Sequence, residues 1–516
     1  MKLHALVSGV LGCLHINEAL ANEQAVLHTP QDYVKNVAIV GAGAGGASAA
    51  YHLSRLAAAA GIAVNITVFE RNSYVGGRST TVNAYDDPSI PVELGGSVFV
   101  KVNHILNDAV KEFNLSTEES LPGIKVPGAA LAIWNGQGFV VTFEDSWWDT
   151  AKLLWRYGLA PVKTMRLMRS VVGKFLKMYE EPAFPFESLT QVAQDLELLA
   201  VTAATGEQYL AENGIGGAFG ADVVQASTRV NYAQNLKYIH GLETMVCMAA
   251  ENAHSVRGGN WQIFDRMIAA SNSTTLLETA VTEVRRLHQS KRLSLKVDST
   301  DREDVALLNS KSYDDVVLAA PLQFSDISLR SLDVGMVDEI PYVQLHVTLF
   351  ASPFLLSPAY FNLAPDKPTP RVILTTLPKG EKPGKGREGV GSPGFFSVSL
   401  LRPATNPNTG GQEYLYKIFS PSPPNATFLA HLLGVESLDN GAAAEISDHD
   451  ITWIYRKVWN SYPYEYPRVT FERIRLADGL WYTGGMDSFI STMETNALMG
   501  MNVARLIVDG WLRKAE

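Results

Sequence analysis

Three glycines near the amino end of the chain have the spacing that brings a backbone against phosphate groups. They are Gly41, Gly43 and Gly46, and they follow the apolar run 37–40, which is typical of a buried parallel strand. The first glycine permits a tight turn, the second lets the backbone approach a pyrophosphate, and the third lets a helix pack on a strand. Unpaired N–H groups at the start of that helix attract phosphates.

The elements around these glycines complete a dinucleotide-binding pattern. The alanine-rich segment 46–60 predicts a helix, and the alternating apolar residues of 62–68 predict a strand that ends at Glu70. A carboxylate at that point accepts hydrogen bonds from ribose hydroxyls and disfavours a 2′-phosphate. Strand, glycines, helix, strand and acid together predict a dinucleotide site that does not take NADP.

Two further glycine pairs follow Glu70. Gly76 and Gly77 precede Arg78, whose guanidinium we expect to neutralise pyrophosphate oxygens. Gly95 and Gly96 offer a second place for close backbone approach. This arrangement resembles the flavin-containing amine oxidase superfamily, which implies that the dinucleotide is FAD.

The carboxyl end of the chain continues the resemblance. Apolar residues recur at helical spacing over 496–512, and this segment follows the pair Gly484-Gly485 and then Glu494. The resemblance implies that the start of this last helix faces the flavin and that the backbone at Val281 holds the adenine. We therefore expect FAD to contact residues from distant parts of the chain: Gly41, Gly43, Gly46, Glu70, Arg71, Gly76, Gly77, Arg78, Gly95, Gly96, Val281, Gly485 and Glu494.

The chain is expected to have an α/β fold in two interleaved parts. Its 516 residues are too many for one simple core. We expect a Rossmann-type FAD-binding domain, like that of amine oxidases and glutathione reductase, assembled from residues 33–100, 255–335 and 468–513. The remaining segments, 101–254 and 336–467, would form an α+β substrate domain.

Several segments outside the glycine motifs narrow the resemblance to one family. They are 229–235, 258–260, 313–322 and 459–463, and they are similar to the prenylcysteine oxidase (prenylcysteine lyase) family. Membership would imply an FAD-dependent oxidoreductase that acts on a sulfur group. Farnesyl- or geranylgeranyl-cysteine, O₂ and water would give cysteine, a prenyl aldehyde and H₂O₂. Two alternatives stay open: an oxidase of an amine or another small metabolite, and a non-enzymatic escort-type protein.

Catalytic side chains are harder to predict, because hydride transfer to a flavin needs no strong base. We select Tyr232, His240, His346 and Glu494 as candidates. No metal ligand set is expected, and Cys247 is interpreted as a small buried apolar residue.

Composition and the first residues bear on partners and location. With 53 acidic and 43 basic residues the net charge is −10, which argues against nucleic-acid binding. Residues 1–21 have the charged start, apolar run and small-residue end of a secretory signal peptide. We therefore expect a lysosomal, vacuolar or secreted protein with N-glycans at Asn114, Asn272 or Asn425. The aromatic segment 147–155 could form a lip that contacts a membrane transiently.

Overall fold

The computed structural model covers most of the chain after the predicted signal peptide, residues 1–21, which lies outside the described part. The described residues are 34–119, 126–144, 146–250, 253–287, 290–299, 302–330, 332–335, 337–436, 438–439 and 444–515.

The described chain contains both strands and helices. The strands are β1 Lys35–Val40, β2 Val64–Phe69, β3 Thr81–Asn83, β4 Pro91–Glu93, β5 Thr117–Glu119, β6 Leu131–Trp134, β7 Phe139–Phe143, β8 His254–Val256, β9 Thr274–Leu276, β10 Thr279–Arg286, β11 Leu293–Ser299, β12 Ser312–Tyr313, β13 Asp315–Leu318, β14 Tyr342–Ser352, β15 Val372–Thr375, β16 Ser397–Thr405, β17 Gln412–Ser420, β18 Leu438–Asp439, β19 Ala444–Glu445, β20 Trp453–Pro463, β21 Arg475–Ala477 and β22 Leu480–Tyr482. The α-helices are α1 Ala44–Ala59, α2 His104–Glu112, α3 Trp147–Tyr157, α4 Ala160–Leu176, α5 Leu189–Asp195, α6 Leu199–Ala203, α7 Gly206–Glu212, α8 Gln225–Tyr232, α9 Gly241–Cys247, α10 Trp261–Ala270, α11 Arg302–Ser310, α12 Ala426–Leu433 and α13 Met493–Ala515.

The first sheet is mostly parallel and has the strand order β21-β22-β13-β1-β2-β9. Parallel strands are covered on both faces, so β1 and β13 are nearly continuous apolar runs. Helices α1, α10 and α13 pack on one face in the largest apolar cluster. The three-stranded sheet β10-β11-β12 covers the other face, where Val284 and Leu295 join Ala38 and Val316 in a second cluster.

The second sheet has the order β20-β14-β17-β16-β15-β6-β7 and is antiparallel except for the pair β15–β6. Successive side chains of a strand point to opposite faces. On β14 and β17, Leu345, Val347 and Leu415 therefore belong to one apolar cluster, while Tyr416 and Ile418 pack on the other face in the cluster that includes α12. The face that carries Leu345 and Val347 packs in part against Val92 and Leu94 and in part borders a cavity.

The two sheets draw on different parts of the chain. Strands of the first sheet fall within 33–100, 255–335 and 468–513, and those of the second within 101–254 and 336–467. The exact domain boundaries stay a prediction. Among the described residues, no helix combines the length and hydropathy that crossing a membrane requires.

Candidate functional site

A cavity of about 970 Å³ is lined by residues of both sheets. This volume is near the upper end of the range for ligand pockets, roughly 300–1,000 Å³. We call the part formed by Gly41, Gly43, Glu70 and Val281 the nucleotide side. The part formed by Leu345, Val347 and Phe419 on the second sheet is the sheet side.

The turn between β1 and α1 requires glycine at two positions. Gly41 has φ +107°, and a Cβ there would lie 3.0 Å from the carbonyl oxygen of Ala319. Gly46 does not line the cavity, but a Cβ on it would lie 1.9 Å from the carbonyl oxygen of Gly41. Gly46 therefore lets α1 begin directly over the turn, so that its N-terminal N–H groups face the cavity.

Glu70 follows the last residue of β2 and is 5% exposed. Its Oε2 accepts the N–H of Ala42 at 2.9 Å, and its Oε1 accepts the N–H of Asn72 at 2.8 Å. These bonds fix the carboxylate at the rim of the glycine turn. Oε1 also accepts the side-chain amide of Asn72 at 2.6 Å, so the capacity that remains for a ribose hydroxyl is on Oε2.

Most of the other predicted cofactor residues also line the cavity: Arg71, Gly76, Gly77, Arg78, Gly95 and Gly96. The glycine pair packs against the turn, since the N–H of Gly76 donates to the carbonyl of Ala42 at 2.9 Å. Arg78 differs from the expectation. Its guanidinium donates to Asp487 at 2.8 Å and to the carbonyl of Ser461 at 2.6 Å, so its charge is already paired within the protein.

Besides Gly46, two predicted cofactor residues lie outside the cavity lining. Gly485 is not in the cavity lining, and a Cβ there would meet Glu472 at 3.1 Å. Glu494 also points away, because its carboxylate accepts the N–H groups of Ile105 and Leu106 at 2.9 and 3.0 Å and the Tyr179 hydroxyl at 2.8 Å. Burial raises the pKa of Glu494 to about 7. The expected flavin contact of Glu494 is thus replaced by a cap on α2.

The start of α13 nevertheless reaches the cavity. Thr492, Met493 and Asn496 line it, so the helix N-terminus is placed as expected although Glu494 is not the side chain that it presents. The helix begins three residues before the predicted start at Asn496. A helix turn directs Met493 and Asn496 to one side and Glu494 to another.

Of the four catalytic candidates, only Tyr232 lines the cavity. Its hydroxyl donates to the carbonyl of Ser491 at 3.0 Å. His346 lies between Leu345 and Val347 on β14, and those two neighbours face the cavity. Because side chains alternate along a strand, His346 points to the opposite face, and its selection as a catalyst is wrong for that reason.

His240 is fully buried beside Glu243 and Glu465, behind the cavity wall. The three side chains are close enough to hold a metal ion. However, Nδ1 of His240 accepts the N–H of Glu243 at 3.0 Å, and burial lowers the pKa of the ring to about 3. The neutral ring then carries its hydrogen on Nε2, 3.4 Å from Oε2 of Glu465, and Nε2 has no lone pair for a metal. His240 is not among the residues that line the cavity, so the structure does not place it at the site.

Sequence reasoning missed a lysine in the cavity wall. Lys417 lies on β17, lines the cavity and is 6% exposed. Its Nζ donates to the carbonyl of Glu93 and to Oγ of Ser97, both at 2.9 Å. The sequence did hold a signal, because Lys417 is in phase with Leu415 and Phe419 and therefore faces inward with them.

The residues present fit a dinucleotide such as FAD. A glycine turn, a helix N-terminus and a fixed carboxylate meet on the nucleotide side, and these are the groups that bind a pyrophosphate and a ribose. Val281 lies on the same side of the cavity, where an adenine would follow the ribose.

Comparison with known protein families gives two matches in this chain. The sequence model described as prenylcysteine lyase matches residues 140–516, and that of an NAD(P)-binding Rossmann-like domain matches residues 39–113. The chain is 29% identical over 501 residues to farnesylcysteine lyase of Arabidopsis thaliana, which covers 94% of this chain and 90% of that protein. It is 28% identical over 526 residues to prenylcysteine oxidase 1 of Homo sapiens, covering 98% and 95%.

Solved structures extend the similarity to the fold. Cyclohexylamine oxidase from Brevibacterium oxydans has a TM-score of 0.57 at 15% identity, covering 92% of this chain and 99% of that one. A fatty acid isomerase from P. acnes has a TM-score of 0.56 at 13% identity, covering 92% and 98%. These identities are low, so the two structures support the shared α/β architecture alone.

Proposed function

Since the chain belongs to the prenylcysteine lyase family, we propose that it is an FAD-dependent oxidase that cleaves the thioether of prenylcysteines. The observation that carries this proposal is one cavity that joins a dinucleotide-binding turn to an apolar wall. FAD, when bound, supplies the hydride acceptor and passes electrons to O₂. Prenylcysteine and water would yield cysteine and a prenyl aldehyde, with H₂O₂ as the reduced product of O₂.

On the nucleotide side, this chain would hold and orient the cofactor. Glu70 would accept the ribose hydroxyls, while the N–H groups at the start of α1 would face the pyrophosphate. Arg78 would tie β20 to the segment before α13, because it donates to the carbonyl of Ser461 and to Asp487. These contacts fix the walls between which the reacting groups must meet.

On the sheet side, this chain would bind the prenyl group. Leu345, Val347 and Phe419 form an apolar wall on neighbouring strands, since Val347 is paired with Phe419 in the β14–β17 register. An isoprenoid chain buried there loses contact with water, which contributes about 0.8 kcal/mol for each CH₂ group.

The decisive experiment adds farnesylcysteine to the purified protein. We expect a yellow protein that releases H₂O₂ and a prenyl aldehyde in air, and whose flavin absorbance bleaches when O₂ is removed. A yellow protein that bleaches only with an amine would instead support an oxidase of a different substrate. A colourless protein that still binds prenylated ligands would support an escort role.

We also propose passage through the secretory pathway, with residues 1–21 as a cleaved signal peptide. Asn114, Asn272 and Asn425 are exposed in the folded chain, which leaves each one accessible to a glycan. Expression in eukaryotic cells should give a secreted or lysosomal protein whose mass falls on treatment with an N-glycosidase. An unchanged mass would contradict the glycan proposal, and retention in the cytosol would contradict the signal peptide.

Contact with a membrane surface is a further part of this proposal. Helix α3 and the start of α4 expose large apolar side chains, with Trp155 91% and Leu159 67% exposed. Basic residues lie near them in the sequence of the two helices, namely Lys152, Arg156, Lys163, Arg166 and Arg169. Tryptophan beside lysine and arginine favours the interface of an anionic bilayer.

Vesicles test this contact directly. The protein should sediment with phosphatidylserine-containing vesicles more than with neutral ones, and Trp155→Ser should reduce that binding several-fold. Leu307→Ser, a change at another exposed apolar residue on α11, is the matched control. Equal binding by Trp155→Ser would contradict a role for α3.

A further inference from the structure

The buried ammonium of Lys417 has no role in the function proposed so far. A lysine is almost never fully buried unless it is paired. Lys417 is nevertheless 6% exposed in the cavity wall, next to the apolar ring of Phe419, which its Nζ approaches to 5.0 Å. The prenyl group that the sheet side would bind gives no reason to keep a cation there, so a ligand group with a need for positive charge is indicated.

The contacts of Lys417 fix its charge against one turn. Its Nζ bonds Glu93 and Ser97, the first and last residues of a turn that contains Gly95 and Gly96. The turn itself packs against the start of α13, where a Cβ on Gly96 would lie 3.1 Å from the sulfur of Met493. Nζ of an ammonium has three hydrogens, and these two bonds use two of them.

The position of the turn relates Lys417 to the cofactor. Glu70 and Val281 occupy the adenosine half of the cavity, and the pyrophosphate belongs over the turn at Gly41 and Gly43. The other half of a dinucleotide must then extend into the remaining part of the lining. That part contains Gly95, Gly96, Lys417 and Met493, so the redox-active ring would lie beside this turn.

We propose that Lys417 supplies a fixed positive charge beside the ring of the bound flavin and so favours its electron-rich, reduced state. This inference rests on the proposed function only in requiring a bound flavin. A charge in a buried site interacts several times more strongly than in water. The N-terminus of α13 adds a partial positive charge to the same place.

The carboxylate of Glu93 is the nearest counter-charge. Its Oε1 accepts the N–H of Asn260 at 2.6 Å, while Oε2 is buried without a hydrogen-bond partner. Burial raises the pKa of Glu93 to about 8 and lowers that of Lys417 to about 8, and each charge partly offsets the effect on the other. The carbonyl of Glu93 and Oγ of Ser97 both accept hydrogen bonds from Nζ of Lys417, and these bonds favour its ammonium form.

Three substitutions separate charge from shape. Lys417→Met removes the charge and the donors, Lys417→Gln removes the charge but keeps donors for Glu93 and Ser97, and Lys417→Arg keeps the charge. Lys457→Met is the matched control, since Lys457 also lines the cavity but is half-buried over Trp459. If Lys417 only anchors the turn, Lys417→Gln should behave like the unsubstituted protein.

The readouts are the midpoint potential of the bound flavin, obtained by dye-coupled reduction, and the dissociation constant of sulfite, which adds to oxidised flavins as an anion. We expect Lys417→Met and Lys417→Gln to lower the potential and to weaken sulfite binding about tenfold or more. For Lys417→Arg and Lys457→Met, the dissociation constant of sulfite should stay within about threefold of that of the unsubstituted protein.

Neither readout needs a prenylated substrate, so the two proposals can fail separately. Unchanged potential and sulfite binding in Lys417→Gln would overturn the role of Lys417 while leaving the oxidase proposal intact. If Lys417→Met does not retain flavin, the potentials and sulfite dissociation constants of Lys417→Gln and Lys417→Arg still show whether the charge is needed. If the Lys417 variants change the potential and sulfite binding as expected but the protein does not oxidise farnesylcysteine, the substrate proposal is overturned and the role of Lys417 stands.

Discussion

The nucleotide side and the sheet side of the cavity are built in different ways. The nucleotide side is formed mainly by backbone groups. They are a glycine turn and helix N-termini, together with one carboxylate fixed by the N–H of Ala42. On the sheet side, side chains from separate strands meet, such as Val347 on β14 and Phe419 on β17. A site made of backbone tolerates few substitutions, whereas a wall of side chains can change its shape one residue at a time.

The largest effect is expected from Gly46→Ala. The new Cβ would overlap the carbonyl oxygen of Gly41, at 1.9 Å, so α1 or the turn must shift. We expect loss of bound flavin and destabilisation by about 3 kcal/mol or more. Flavin absorbance and urea unfolding measure these two results.

Gly510→Ala on α13 is the matched control, because a Cβ there meets nothing within 4 Å. Alanine should stabilise that helix by about 0.5–1 kcal/mol and leave the flavin in place. If both alanine variants kept their flavin, the close packing at Gly46 would not be needed to form the site.

A smaller effect on the same side is expected from Glu70→Ala. Loss of the carboxylate leaves the N–H of Ala42 without its acceptor and removes the expected ribose contact. This should cost about 1–3 kcal/mol, which is about a 5- to 150-fold weaker affinity for FAD. Fluorescence titration of the apoprotein with FAD checks it, with Glu119→Ala, an exposed lining residue, as the control.

On the sheet side, Val347→Phe should change substrate selection and not cofactor content. The larger ring narrows the apolar wall, so we expect kcat/KM to fall about tenfold for geranylgeranylcysteine and less for the shorter farnesylcysteine. His346→Ala, on the opposite face of β14, should leave kcat/KM for both substrates unchanged. Equal losses for both substrates, or a loss in His346→Ala, would contradict this assignment of faces.

The smallest effect concerns stability and lies outside the cavity. The pKa of Glu494 in the folded chain, about 7, exceeds its ordinary value of 4.5, so folding favours the protonated form. The stability that this group contributes is present below about pH 4.5 and is lost as the pH rises through 7. Relative to Glu494→Gln, the unsubstituted protein should lose about 1–3 kcal/mol between pH 4.5 and 7.5 in urea unfolding. Parallel pH profiles of the two proteins would contradict the raised pKa.

Local patterns were enough to predict the nucleotide side. The glycines of the β1–α1 turn and Glu70 act through backbone geometry and a fixed spacing along one β-α-β segment, so the sequence alone indicates what they do. The fold class followed from the same segment, and the structural neighbours confirm it. The helix at the carboxyl end was predicted from its periodicity, although it begins earlier, at Met493.

Local patterns did not predict the direction in which the Glu494 and His346 side chains point. Glu494 was expected at the flavin because it lies just before the predicted last helix, yet the neighbouring helix α2 offers two N–H groups that bind its carboxylate away from the cavity. His346 was chosen for its type, but strand alternation could show only that it opposes Leu345 and Val347, not which face borders the cavity.

The sequence by itself determined the dinucleotide turn, the acid that follows it and the family to which the chain belongs, because each depends on residues that are close together or on motifs in a fixed order. Tertiary structure alone decided that β17 lies against the turn of Gly95 and Gly96, which brings Lys417 to Glu93 across 324 positions of the chain. The physical reason is that a cavity wall is made where separate strands meet. The charge at such a wall depends on the packing of both sheets and is not encoded in either segment alone.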